Sequence, residues 1–180
     1  MEEHKKMNVI HFHKPEEENG YLSNWDMSGF ILDEKKYCCA EQYLMEQKAL
    51  LFGDTAIADQ IMECTDQQTM QNLGRMVHNF NDKIWDGSKQ VILYRALVAK
   101  FDQNIHLAAR LVKTGDAILA ECSHSDRIWG IGRGMDDPRA DDIATWNGQN
   151  LLGFALMQVR DYEYKKVTIL MKNAIPDEDD

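Results

Sequence analysis

The feature that most constrains the fold is the uninterrupted stretch from Ala40 to Phe52, which reads AEQYLMEQKALLF. It consists of good helix formers and contains no helix breaker. Gly53 follows directly and is well placed to end a helix. The stretch therefore predicts an α-helix that ends near residue 52.

Signals for further helices follow along the chain. Thr65 and Gln68 form a capping-box pattern before Gly74, and Asn81 or Asp82 is placed to cap a long helix. The further helices are predicted over residues 55–62, 65–74, 81–101, 104–113 and 149–160. Helices thus follow one another along much of the chain.

A smaller share of the chain has strand character. Residues 10–13 alternate between apolar and polar side chains, and Ala117–Cys122 predicts a strand that joins the same small sheet. Phe30–Leu32 and Tyr37–Cys39 flank a charged cluster and predict a hairpin. We expect one α+β domain, mainly helical, with a small sheet.

No repeat, linker or change in composition divides the chain. The sequence predicts an N-terminal extension over residues 1–7, a single compact domain over 8–163 and an acidic C-terminal tail over 164–180. The last residues, PDEDD at 176–180, are expected to be a solvated end.

Charge restricts the class of function. Thirty acidic residues oppose twenty basic ones, for a net charge of −10, which disfavours general binding to phosphate backbones. An enzyme that acts on a nucleotide, or on one base in a strand, remains compatible if basic residues are concentrated at its site.

Localisation and metal content are also constrained. The apolar stretches are far shorter than the ~20 residues that span a bilayer, and the start MEEHKK lacks a secretory signal. We expect a cytoplasmic protein with no membrane association. The four cysteines suggest neither disulfides nor zinc, and His11 and His13 alone lack the further ligands of a metal site.

The first predicted helix carries a candidate reactive pair. Glu41, Leu44, Met45 and Lys48 share one helix face, with Glu41 and Lys48 ~10 Å apart along the axis. A ligand fits between them, and Lys48 is a candidate nucleophile if burial lowers its pKa. The alternative is a pair of ordinary solvated charges.

A second candidate is the loop SHSDRIWGIGRG at 123–134. Trp129 offers a stacking face for a base, Asp126 is a candidate acceptor of a proton or a ribose hydroxyl, and Gly130 permits close backbone approach. The alternative is a glycine-rich connection that anchors a core tryptophan.

Three further spots are weaker. Asn24 and Trp25 lie in GYLSNW, Arg75 is a candidate phosphate clamp or a surface group, and Trp85 is a candidate pocket or core residue. The residues alone thus predict a nucleotide-sized pocket with acid, amine and aromatic groups.

Eight blocks in this order resemble the NADAR family. They are LSNW at 22–25, AEQYLMEQKA at 40–49, GR at 74–75, Trp85, KFDQN at 100–104, TG at 114–115, LAECSHSDRIWGIG at 119–132 and GQNLLGFALMQVR at 148–160. The resemblance implies a small, mainly helical fold and an N-glycosidase that needs no cofactor or metal. It ties Glu41, Trp85, Asp126 and Trp129 to activity, and matches Lys48 to a lysine proposed to form a Schiff base with opened ribose.

The resemblance implies two substrate classes: ADP-ribose on guanine in nucleic acid, which we favour, and phosphoribosylamino-pyrimidine intermediates of riboflavin synthesis. A module that binds ADP-ribose without turnover is the third alternative. In the resulting hypothesis Lys48, Glu41 and Asp126 are catalytic, Arg75 lies near phosphate, and Asn24 and Asn150 bond the sugar. Some members carry histidine where this chain has Gln42, whose amide does not titrate.

Overall fold

Helices form most of the structure. The computed structural model describes residues 8–174, with side chains to residue 170. Its helices are α1 (Ala40–Leu51), α2 (Thr55–Glu63), α3 (Gln67–Arg75), α4 (Asp82–Gln103), α5 (Ile105–Lys113) and α6 (Leu151–Ala174). Its strands are β1 (Val9–Phe12), β2 (Phe30–Leu32), β3 (Lys35–Tyr37) and β4 (Ile118–Glu121), and short 3₁₀ turns cover Gly20–Leu22 and Ile143–Thr145. The predicted mainly helical α+β class is confirmed.

Side-chain caps begin three of the helices. Asp54 caps α2, Asp66 caps α3 and Asn81 caps α4, each accepting a backbone N–H three residues later. The cap of α3 is therefore Asp66 and not the predicted Thr65. Each such cap stabilises its helix by about 1 kcal/mol.

The strands form two separate two-stranded sheets within residues 8–174, where the sequence predicted one. β1 and β4 are parallel, with Phe12 opposite Glu121, and β2 and β3 form an antiparallel hairpin. Asp33 and Glu34 turn the hairpin with positive φ angles of 51° and 64°, as two-residue hairpin turns require. The hairpin packs against α4 and α1 instead of β1, which keeps the two sheets apart.

The core surrounds α1, which packs against α2, α3, α4 and β3. Tyr43 and Leu44 of α1 are fully buried together with Leu97 and Phe101 of α4. Burial of each such side chain contributes about 1.5–3 kcal/mol. This packing fixes α1, and with it Glu41 and Lys48, against the other helices.

The last helix is longer than predicted. The sequence predicts an end near Arg160, but α6 continues to Ala174 because no glycine or proline occurs between Arg160 and Pro176, and Lys166 pairs with Asp102 of α4. Residues 164–174 are therefore helical, whereas 1–7 and 176–180 lie outside the described residues. Among the described helices, none combines the length and apolar character that a bilayer crossing requires.

Candidate active site

A cavity of about 960 Å³ opens between α1, the end of α3, the start of α4 and the loops that follow β1 and β4. This volume lies at the upper end of the roughly 300–1,000 Å³ typical of small-molecule sites. Eight of the residues selected from the sequence line it: Asn24, Trp25, Glu41, Lys48, Arg75, Trp85, Asp126 and Trp129. The fold thus brings distant parts of the chain to one nucleotide-sized cavity.

Glu41 is a buried carboxyl in the first turn of α1, only 3% exposed. Its Oε2 accepts a hydrogen bond from Asn24 Nδ2, and its backbone N–H donates to the Asn24 carbonyl at 2.9 Å. Burial raises the pKa of Glu41 to about 7; the charge of Asp126 adds to the rise, and a hydrogen bond from Trp25 opposes it. A carboxyl with this pKa can donate or accept a proton near neutral pH.

Lys48 presents its amine to the cavity two turns after Glu41. Its Nζ donates to the Gly74 carbonyl at 2.7 Å and lies 4.3 Å and 5.6 Å from the ring centres of Phe80 and Trp85. Burial lowers the pKa of Lys48, and the charge of Glu41 opposes this effect. A lowered pKa increases the share of neutral amine, the nucleophilic form.

The position of the amine depends on close packing of α3 against α1 at Gly74. A Cβ atom at Gly74 would lie 2.1 Å from Sδ of Met45, so a side chain there would displace Met45 or α3. The neighbouring Arg75 is exposed at the cavity rim and donates to Gln71 at 2.8 Å. The pair at 74–75 therefore provides a close helix contact and an exposed cation.

Asp126 organises the loop after β4. Its Oδ1 accepts the backbone N–H groups of Ile128 and Trp129, both at 2.8 Å, and its own N–H donates to Ser123 Oγ at 3.2 Å. These bonds fix the loop that carries Trp129, which lines the cavity and packs partly against the core. Asp126 thus has a structural part in the site besides any contact with a ligand.

Two residues predicted to contact substrate lie behind the cavity wall instead. Asn150 is fully buried; its Nδ2 donates to the Leu119 carbonyl at 2.8 Å, and its Oδ1 accepts the Glu121 N–H at 3.1 Å. Gly130 is buried too. A Cβ there would lie 2.8 Å from the Glu121 carbonyl oxygen and 3.0 Å from that of Asp126, so the position has no room for a side chain. Both residues support β4 and do not face the cavity.

Other charged residues of the cavity were missed as site residues from the sequence. They are His13, Lys14, Glu16, Glu121 and Arg127. In the sequence, His13 is considered only for metal binding, for which it lacks further ligands, and Glu121 ends an otherwise apolar strand. That ending was the signal available, but its meaning depends on the parallel pairing of β4 with β1.

The cavity is richer in basic residues than the chain as a whole. Its cationic side chains are Lys14, Lys48, Arg75 and Arg127. They are balanced by an equal number of carboxylates there, whereas acidic residues exceed basic ones thirty to twenty in the sequence. Basic residues are thus concentrated where action on a phosphorylated ligand requires them.

Lys100 fixes the loop that holds Asn24. It is fully buried, and its Nζ donates to the carbonyls of Tyr21 and Ser23 at 2.8 and 3.1 Å and pairs with Asp26 at 3.0 Å. Burial lowers the pKa of Lys100, and Asp26 opposes this effect. The lysine of the KFDQN block therefore acts on the site through the backbone of residues 21–26.

Gln42 faces away from the cavity. Its Oε1 accepts the Cys38 N–H at 2.9 Å and its Nε2 donates to the Ile61 carbonyl at 3.1 Å. In this chain the residue after Glu41 therefore ties α1 to α2 and takes no part in proton transfer.

The chain is similar to proteins of one known family. The model of the NADAR domain matches residues 11–162. N-glycosidase R617 of Acanthamoeba polyphaga mimivirus is 45% identical over 126 residues, which cover 70% of this chain and 74% of the relative. Riboflavin biosynthesis protein VVA0006 of Vibrio vulnificus is 28% identical over 152 residues, which cover 84% of this chain but 38% of the relative.

A bacterial relative is known in structure. N-glycosidase YbiA of Escherichia coli is 28% identical over 153 residues, covering 85% of this chain and 87% of the relative. The NMR structure of E. coli YbiA superposes with a TM-score of 0.74 at 25% identity and covers 97% of this chain and 93% of that one. The relatives named N-glycosidase support a hydrolase that acts on N-glycosyl bonds. Since the family model covers most of the chain and a relative at 45% identity agrees with it, the chain belongs to the NADAR domain family.

Proposed function

We propose that this N-glycosidase removes ADP-ribose from guanine in nucleic acid, with Lys48 as the nucleophile. The observation that carries the proposal is the setting of the Lys48 amine: half-buried, held by the Gly74 carbonyl, and in one cavity with the buried acid Glu41. An amine of lowered pKa beside a carboxyl that exchanges protons near neutrality suits imine formation with a sugar aldehyde.

The cavity has groups suited to each part of such a ligand. Trp85 and Trp129 offer faces for the base, and Asn24 and Asp126 offer polar atoms for ribose hydroxyls. The exposed guanidinium groups of Arg75, on α3, and Arg127, on the loop after β4, suit phosphates at separate positions. Two cationic positions favour a ligand with two phosphates over one with a single phosphate.

The reaction needs no redox step. Neutral Glu41 protonates the ribose ring oxygen, the ring opens, and the Lys48 amine adds to C1′ and returns one proton to the Glu41 carboxylate. The leaving nitrogen takes a proton from an acid on the base side, and the C1′–N bond breaks to leave a Lys48 imine. Water then adds to the imine carbon and releases one proton to solvent, the remaining hydroxyl proton passes to the Lys48 nitrogen, and the aldehyde is released.

A second candidate is hydrolysis of phosphoribosylamino-pyrimidine intermediates of riboflavin synthesis. Its support is the match to a relative named Riboflavin biosynthesis protein. The same lysine chemistry would serve, because both substrates carry a C1′–N bond. Only the base and the phosphates differ between the two candidates.

The test compares the two substrates directly. Wild type, Lys48→Ala and the control Lys113→Ala, an exposed lysine on α5, are incubated with an ADP-ribosylated guanine oligonucleotide and, separately, with the phosphoribosylamino-pyrimidine. Mass spectrometry follows the products. The proposal expects the oligonucleotide to return to its unmodified mass with wild type and Lys113→Ala, but not with Lys48→Ala. Release of ribose 5-phosphate from the pyrimidine alone would favour the second candidate, and binding of ADP-ribose without turnover of either would contradict both.

A further inference from the structure

His13 and Glu121 meet at one edge of the parallel sheet. Because Phe12 of β1 pairs with Glu121 of β4, the residue after Phe12 emerges beside the Glu121 side chain. His13 Nδ1 lies 2.7 Å from Glu121 Oε1, and both residues line the same cavity as Lys48. The fold thus places an imidazole–carboxyl pair in the wall of the site.

The backbone of Glu121 is held on every side. Its N–H donates to Asn150 Oδ1 at 3.1 Å, and its carbonyl accepts the N–H groups of Ile131 at 2.9 Å and Ser123 at 3.2 Å. Gly130 lies so close that a Cβ there would be 3.2 Å from Glu121 Cγ. Such support is typical of a side chain whose position matters for function.

The carboxyl of Glu121 is only half satisfied. The residue is 7% exposed, and its Oε2 is buried without a hydrogen-bond partner among the described residues. Buried polar atoms that serve structure alone are nearly always bonded. His13 keeps 35% of its side chain exposed, so the pair has one sheltered member and one that a ligand can reach.

The surrounding charges favour proton exchange by the pair near neutrality. Burial raises the pKa of Glu121 to about 7; His13 opposes the rise, and Asp126 and Glu17 add to it. The hydrogen bond to Glu121 raises the pKa of His13; burial and Lys14 oppose this, and Glu17 adds to it. Each of the two groups therefore shifts the pKa of the other.

We propose that His13 is the general acid on the base side of the cavity and that Glu121 positions and charges its imidazole. This assignment rests on the lysine mechanism proposed above, which needs one proton for the leaving nitrogen. Nδ1–H of the imidazolium stays bonded to Glu121, and Nε2–H gives its proton to the leaving nitrogen as the C1′–N electron pair moves to the base. The partly exposed imidazole then regains its Nε2 proton from solvent, so hydrolysis of the Lys48 imine does not require His13.

The arrangement separates two tasks. Glu41 reaches the cavity from α1, the helix that also carries Lys48, and serves the sugar. His13 and Glu121 reach the cavity from the edge of the sheet and serve the base. Burial, together with the charge of Asp126, raises the pKa of both carboxyls, which keeps them in the range where either can exchange a proton.

The experiment uses His13→Gln, Glu121→Gln and the control His106→Gln, an exposed histidine on α5. The kcat of each variant is measured from pH 5 to 9 on both substrates named above. In parallel, free ADP-ribose or ribose 5-phosphate is trapped on Lys48 with borohydride. This reaction forms the Lys48 imine without departure of a base.

His13→Gln is expected to lower kcat by about 100-fold, the lower end for loss of a general acid, and to remove the contribution of His13 to the alkaline limb of the pH profile, which leaves the contribution of Glu41. Glu121→Gln is expected to move that limb to lower pH, because loss of the carboxylate lowers the pKa of His13. Trapping of the free sugar is expected to match that of wild type in both variants. His106→Gln is expected to match wild type in kcat, pH profile and sugar trapping.

Wild-type kcat and an unchanged pH profile in His13→Gln would overturn the proposal, as would a loss of sugar trapping that parallels the loss of kcat. If only the pyrimidine is hydrolysed, the ADP-ribose proposal fails, while the ratio of variant to wild-type kcat on the pyrimidine still decides the role of His13.

Discussion

Replacement of Glu41 by Gln is expected to stabilise the fold at alkaline pH while it removes activity. Burial raises the pKa of this carboxyl from 4.5 to about 7, and each pKa unit corresponds to about 1.4 kcal/mol. The folded chain therefore binds this proton more tightly than the unfolded chain does, by about 3 kcal/mol.

The sign of the pH dependence follows from the raised pKa. The stabilisation from the protonated carboxyl is present in full below pH 4.5 and is lost as the pH rises through about 7. The amide that replaces this carboxyl would carry no charge at any pH. The gain in unfolding free energy of Glu41→Gln over wild type should therefore be about 3 kcal/mol larger at pH 8.5 than at pH 4.

Urea unfolding of both proteins, followed by tryptophan fluorescence and circular dichroism at several pH values, measures this difference. Titration of other groups largely cancels between the two proteins. Glu63→Gln, at an exposed position at the end of α2, is the control for the same substitution outside the cavity. A Glu41→Gln difference that is the same at pH 4 and pH 8.5 would refute the reasoning.

Three further predictions concern the support of the site. Gly74→Ala should destabilise the fold by about 1–3 kcal/mol through overpacking, because its Cβ would meet Met45 Sδ at 2.1 Å; the midpoint of urea unfolding measures this. Arg75→Ala should raise KM for a phosphorylated substrate by about tenfold with little change in kcat, as loss of one charge-assisted contact implies; steady-state kinetics would contradict it if kcat alone fell. Asn150→Ala should cost at least about 2 kcal/mol by leaving the Glu121 N–H unpaired, and a variant as stable as wild type would contradict this.

Local signals predicted much of the fold. The composition of α1, the cap of α4 and the charged turn of the hairpin are all encoded within a few neighbouring residues. The shared face of Glu41 and Lys48 follows from helix geometry alone. The burial of Glu41 and Lys48 does not follow from helix geometry, because it depends on the packing of α3 and the loop at 23–25 around them.

The missed part of the site depends on contacts between distant residues. Glu121 and His13 become neighbours only through the parallel pairing of β4 with β1, whose strands are separated by more than half of the chain. The sequence predicts Asn150 as a sugar contact, but an asparagine before a helix suits either that role or a structural one. In the structure, the side-chain amide of Asn150 bonds the backbone of β4. The sequence alone does not distinguish the structural role from the sugar contact.

The length of α6 also depended on tertiary structure. Residues 161–174 contain no glycine or proline, and the helix continues where Lys166 meets Asp102 on α4. The sequence contained no stop signal there, so ending the prediction at Arg160 was an error of boundary and not of element type.

The measurement that tests the central claim most directly is borohydride reduction during turnover of the N-glycoside, followed by peptide mass mapping. The account predicts a reduced sugar adduct on the peptide that contains Lys48, formed by wild type and the Lys113→Ala control and absent from Lys48→Ala. Turnover with no adduct, or with an adduct on another lysine, would contradict the covalent role of Lys48.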